Sequence, residues 1–223
     1  MEPLQITATL CSPMAVPLYP VALDGLLGAA ICERRGLMAT VGEFQHVEVP
    51  IQRSACGRYH LASVAHYKPL RFEQGWITKR PCVDEFKLFG GGKIRSVNTG
   101  TGRNKAYRIP MSMAIVAELR WWAVGDREQI EALLGLVTHI GKRRAAGNGR
   151  VAKWAIESFE PWEGFPILRP DGTPTRNLPI DTPELGPETV IGWGPVTYPY
   201  WDQTAATEVA QAPDTEWMGP CDS

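Results

Sequence analysis

The chain has 223 residues, 44% of them hydrophobic and 21% charged, and a formal net charge of -1. That is enough apolar material for one substantial core, or for one domain with an appendage, and the near-neutral balance taken alone argues against a nucleic-acid partner. The five cysteines (Cys11, Cys32, Cys56, Cys82 and Cys221) are odd in number and form no Cys-x-x-Cys pair, which argues against a disulfide framework and a zinc knuckle. The start lacks a basic region ahead of an apolar run, and the longest apolar stretch, 26–32, is too short to span a bilayer. A cytoplasmic protein with reduced thiols, no cofactor, no metal and no membrane contact is expected.

Alternation of Leu4, Ile6, Ala8 and Leu10 predicts a half-buried strand over 3–10. Leu23, Leu26, Leu27, Ala30 and Ile31 then recur at helical spacing, with Pro20 able to open the helix and Gly36 to close it. A second strand is expected over 59–67, where Tyr59, Leu61, Ser63, Ala65 and Tyr67 alternate with His60, Ala62, Val64 and His66. Met113, Ile115, Ala117, Leu119 and Trp121 predict one face of a third strand. Asp126 and Gln129 form a capping box for a second helix carrying Ile130, Leu133, Leu134 and Val137, which is expected to run into Gly141 and to place His139 on its last turn. A fourth strand follows over 151–159, with Trp154 and Ile156 on one face.

The order strand, helix, strand, strand, helix, strand predicts an α+β, ferredoxin-like (RRM-like) βαββαβ domain over 1–159. An insertion over 68–110 separates its middle strands, and is too long for a structureless loop, so a hairpin or functional excursion is expected. From residue 160 the composition turns proline-rich. An extended arm is expected over 160–208 and a disordered tail over 209–223.

Charge is unevenly distributed along the chain. Residues 53–110 carry twelve basic side chains against three acids, whereas 157–223 carry twelve acids against Arg169 and Arg176. Local basic stretches, not net charge, decide where a phosphate backbone can sit. Interleaving with Gly, Asn, Tyr and Trp favours nucleic acid; the alternative is a solvated basic face paired with the acidic tail of the same molecule.

Two glycine motifs fail as nucleotide-enzyme sites. Gly90-Gly91-Gly92-Lys93 lacks the P-loop's first glycine, where Lys87 stands, and its Ser or Thr, where Ile94 stands. Gly147-Asn148-Gly149 with Ala152 matches a dinucleotide fingerprint, but it opens a strand where that fingerprint must open a helix. What remains over 141–150 is a glycine-rich, cationic loop. Its glycines let backbone N–H groups approach phosphate, and Lys142, Arg143, Arg144 and Arg150 supply charge; the alternative is a tight turn that only needs flexible residues.

A second candidate RNA contact spans 93–108 and includes Lys93, Arg95, Arg103, Asn104, Lys105, Tyr107 and Arg108, with Tyr107 able to stack on a base. Trp76 beside Lys79 and Arg80 offers a further stacking platform. Catalytic material is thin. His60 and His66 share a predicted strand face and are the candidates for a general base in a metal-independent ribonuclease, against the plainer reading of partly exposed strand histidines.

The stretch Gly-Lys-Arg-Arg-x-x-Gly-x-Gly-Arg-Val at 141–151 resembles the glycine loop of the RAMP superfamily of CRISPR proteins. The opening Pro-Leu-Gln-Ile-Thr-Ala-Thr-Leu and Pro-Val-Ala-Leu-Asp-Gly-Leu-Leu at 20–27 look like the small, Cas-five-type subunit of type IV CRISPR complexes, with similarity over roughly 3–159. The resemblance implies a largely non-catalytic role in antiviral defence. The glycine loop and a thumb-like insertion would grip the 5′ handle of the guide RNA (crRNA). The subunit would pack against the backbone RAMP subunit and the large subunit, with target DNA near the recognition motif as a further contact. The family loop often carries an aromatic before its final glycine; here Asn148 stands there, which implies a polar contact.

Overall fold

The computed structural model describes residues 1–17, 19–37, 47–80, 98–200, 202–212 and 216–219, without the side chains of Arg103 and Gln203. The predicted sites Lys93 and Arg95, the Gly90–Gly92 run and His46 lie outside the described residues. The chain is α+β, with antiparallel sheets.

Strand β1 (Glu2–Leu10) lies at the centre of the first sheet, flanked by β5 (Glu118–Gly125) and β6 (Val151–Ser158), both antiparallel to it. Leu4, Ile6, Ala8 and Leu10 are buried, as their alternation predicts. Helix α1 (Leu23–Arg34) buries Leu23, Leu27, Ala30 and Ile31, and contacts helix α2 (Arg127–Leu134) on the face of the sheet that carries Trp121. Asp126 caps α2 as expected, accepting the Gln129 backbone N–H at 3.0 Å while the Gln129 amide donates to its second oxygen at 2.7 Å.

The segment 59–67 runs along the outer edge of β5. His66 and Arg120 exchange backbone hydrogen bonds of 2.8 Å, and Val124 N–H donates to Leu61 O at 2.9 Å. It is an irregular edge rather than the regular alternating strand expected, because residues from Tyr59 through His66 are buried on both sides apart from half-buried Leu61.

The expected third strand is in fact two. Strand β4 (Tyr107–Val116) pairs with β3 (Pro69–Lys79) in a hairpin, and exposed Ala117 separates it from β5. The described part of the insertion is therefore a two-stranded ribbon that prolongs the 59–67 and β5 pair. Short strand β2 (Met14–Ala15) pairs with Ala114 and Met113 at its root.

Helix α2 also stops earlier than expected, at Leu134. Gly135 follows at the C-cap, where poor helix propensity favours termination, so the helix does not reach Gly141 and His139 is not helical.

The second face of the sheet is covered too. Trp122, next to Trp121 and so pointing the opposite way, packs against Trp217 at 4.8 Å and Trp162 at 5.7 Å between ring centroids. The boundary expected at 208/209 falls inside β9 (Thr207–Gln211), which lies between β7 (Leu178–Pro179) and β8 (Val190–Gly194) with Val209 and Ala210 buried. Ala210 packs with Tyr59, Leu168 and Leu178, residues remote from it in the chain, which the proline-rich local composition does not reveal. Among the described residues no helix is long and apolar enough to cross a membrane.

Candidate nucleic-acid interface

The glycine loop closes a short antiparallel ladder. Ile140 N–H donates to Gly149 O at 2.8 Å and Val151 N–H to Thr138 O at 2.9 Å, so two extended arms flank 141–149. Gly141, Gly147 and Gly149 take φ of +89°, +83° and +66°, the left-handed region that side chains disfavour. At Gly149 a Cβ would also run into the Ile140 carbonyl, and at Gly141 it would stand 2.9 Å from Ala15 O. Arg143 adopts a φ of 57° without being glycine, which aims the turn outward at some backbone cost.

Residues 11–15 hold this loop from beneath. Ser12 Oγ donates to Gly147 O and accepts from Arg150 N–H, both at 2.8 Å, and Gly149 N–H donates to Pro13 O at 2.9 Å. The anchoring leaves Lys142, Arg143, Arg144 and Arg150 exposed. Asn148 is half-buried, and its amide donates to Arg143 O at 3.5 Å, so it braces the turn from inside.

On the ribbon, Lys79, Arg80, Lys105 and Arg108 are exposed, Tyr107 and Asn104 are half-buried, and Lys79 is the cross-strand partner of Tyr107. Arg103 lies in a 3-10 turn over Gly102–Asn104. Trp76 is not a bare platform: the Arg108 guanidinium sits 4.0 Å from its ring centroid, an arrangement set by their diagonal positions on one ribbon face.

The glycine loop and the ribbon meet through β2. Ala15 is the cross-strand partner of Met113 on one side and bridges Lys142 on the other. From that junction β4 runs six residues outward to Tyr107, about 20 Å at the rise of an antiparallel strand. Behind the loop, a groove of about 670 Å³ separates it from α1.

His60 and His66 are 4% and 0% exposed, so neither is the partly exposed histidine expected. They also enter different clusters. His66 packs against Trp122 and Trp217, at 5.3 and 5.6 Å. His60 Nδ1 lies 3.2 Å from Asp24 Oδ2 in a buried network that sequence reasoning missed. There Arg176 donates to His60 O, Ala62 O, Val196 O and Asp24, while Tyr200 OH donates to Asp24 at 2.7 Å. Burial would raise the Asp24 pKa, but the Arg176 charge and the contacts from His60 and Tyr200 outweigh it and hold the carboxyl at about 2. Burial, and then the Asp24 charge against the opposing pull of Arg176, pushes the Tyr200 hydroxyl well above its usual value. The only hint in the sequence is Arg176 itself, one of two cations within an acidic, proline-rich stretch. Among the described residues no group of three or more His, Cys, Asp or Glu is placed to hold a metal.

A family model described as CRISPR type IV associated protein Csf3 matches residues 71–212. The chain belongs to this family. The match takes in the ribbon, β5, α2, the glycine loop and the C-terminal sheet, so Csf3 similarity extends well past 159 and does not cover β1 and α1, whose residues carry part of the resemblance. Csf3 membership makes the chain a type IV CRISPR-associated protein. No curated protein matches it.

Proposed function

We propose that this Csf3-family chain is the guide-RNA-binding subunit of a type IV CRISPR ribonucleoprotein complex, gripping the 5′ handle of the crRNA and capping the backbone. The proposal includes a ferredoxin-like RAMP core. The strand order β6, β1, β5, then the 59–67 edge, with both helices on one face, supports that reading.

One observation carries the RNA assignment. Ala15 joins the loop bearing Lys142 to the ribbon bearing Lys79, Lys105 and Arg108, so two cation-rich elements share one support. The loop presents Lys142, Arg143, Arg144 and Arg150 to solvent, and the ribbon adds Tyr107 and the Trp76–Arg108 pair for stacking. Burial of His60 and His66 supports a structural rather than a catalytic role. The proposal also has the chain assembling with the backbone and large subunits, a reading that the type IV CRISPR association of the family supports.

The test is purification of the chain with Lys142, Arg143 and Arg144 all replaced by alanine. Co-purifying RNA should be lost, the far-UV spectrum should be unchanged, and the salt slope of RNA binding should fall by about two for single-stranded contacts. Undiminished RNA in the triple variant would sink the proposal.

A further inference from the structure

The groove behind the glycine loop has two unlike walls, joined by the 136–139 segment with His139. Helix α1 contributes Leu26, Ala29, Ala30 and Glu33, and the loop contributes Arg143 and Arg144. Its volume, about 670 Å³, falls in the range of about 300–1,000 Å³ usual for sites that hold a small ligand. Among the described residues no ion pair joins Glu33 to either arginine, although all three line the same groove. Glu33 also stands in the last turn of α1, where the negative end of the helix disfavours a carboxylate. An acid set against its helix, sharing an apolar-lined groove with two cations it does not pair with, suits a ligand that bridges them. Such a ligand carries an anion at one end, a flat apolar body, and hydrogen-bond donors at the other.

A nucleotide has this pattern. We infer that the groove receives one unstacked nucleotide of the bound RNA, with guanine preferred; this rests on the RNA-binding role proposed above. The phosphate faces Arg143 and Arg144, and the base lies on Leu26, Ala29 and Ala30. Glu33 is a pure acceptor when ionised. Guanine presents N1–H and N2–H side by side, enough for two parallel bonds to one carboxylate, whereas adenine, cytosine and uracil each offer a single donor group on that edge.

The test compares binding of the full chain to a labelled short oligouridylate and to the same oligomer carrying one guanosine. The guanosine oligomer should bind about five- to 150-fold more tightly, the discrimination of one good bidentate contact. Glu33→Ala, at an exposed helix position, should bring the two RNAs to within about twofold of each other. Arg143→Ala with Arg144→Ala should weaken both. Equal wild-type binding of the two RNAs, or a guanosine preference that survives Glu33→Ala, overturns the inference and leaves the RNA-binding role standing. Failure to bind either RNA removes that role, and the inference with it.

Discussion

Asp24 and Arg176, 152 residues apart in the chain, meet as a buried ion pair: Arg176 Nη2 lies 3.2 Å from Asp24 Oδ2, and their side chains are 0% and 1% exposed. The contact fastens the C-terminal segment to helix α1 across the 59–67 edge. Tyr200 completes it by donating to Asp24 while accepting from Arg176.

Removing one member leaves the other charge buried without a partner. Arg176→Met or Asp24→Ala should each cost about 3–5 kcal/mol, read from urea unfolding. Tyr200→Phe removes one hydrogen-bond donor to a charged group and should cost about 1.5–3 kcal/mol. A loss below about 1 kcal/mol for Arg176→Met would mean that the C-terminal segment is not held this way.

Acid should release the same contact. Asp24 titrates at about 2 in the folded chain, below the ordinary 3.8. A depressed carboxylate stabilises above its unfolded pKa and stops doing so as pH falls through its folded one. The contribution, on the order of 2 kcal/mol, is therefore complete above about pH 4 and disappears toward pH 2. The difference in unfolding free energy between wild type and Asp24→Asn should shrink across that window. A difference that stays constant would contradict it.

Two glycines in one loop should respond differently to alanine. At Gly147 nothing stands within 4 Å of the added Cβ, so Gly147→Ala meets only the left-handed φ, about 1 kcal/mol. At Gly149 the Ile140 carbonyl blocks the Cβ as well, and Gly149→Ala should cost about 2–3 kcal/mol and abolish RNA retention. Thermal unfolding and RNA content of the purified variants check both, and equal effects would argue against the loop geometry.

Trp217 touches Trp122, Trp162 and His66 from the far end of the chain. Trp217→Ala should cost about 2 kcal/mol, since the ring is half-buried and each aromatic pair adds to its burial. The near-UV circular dichroism of the tryptophan cluster should fall with it. An unchanged spectrum would mean that the C-terminal stretch does not cover this face of the sheet.

Local pattern was enough for β1, both helices and β6, because each buries one stripe and periodicity records that burial directly. It also located the cationic loop, whose glycines are required by backbone geometry at Gly141, Gly147 and Gly149. Pattern failed where burial was two-sided. Tyr59 to His66 and the Trp121-Trp122 pair lie between layers, so alternation carried no information about which side faced out, and the histidines seemed more accessible than they are. The end of α2 was misjudged because an apolar stripe continued past Gly135 in an extended segment.

The sequence by itself therefore determined the elements and the two basic stretches, since both are properties of neighbouring residues. Only the tertiary structure decided that β2 joins loop to ribbon through Ala15, that Glu33 lines one groove with Arg143 and Arg144, and that Arg176 is a buried anchor rather than a surface charge. Each of those arrangements brings together residues far apart in the chain, and its energy depends on desolvation and partner geometry, neither of which local spacing encodes.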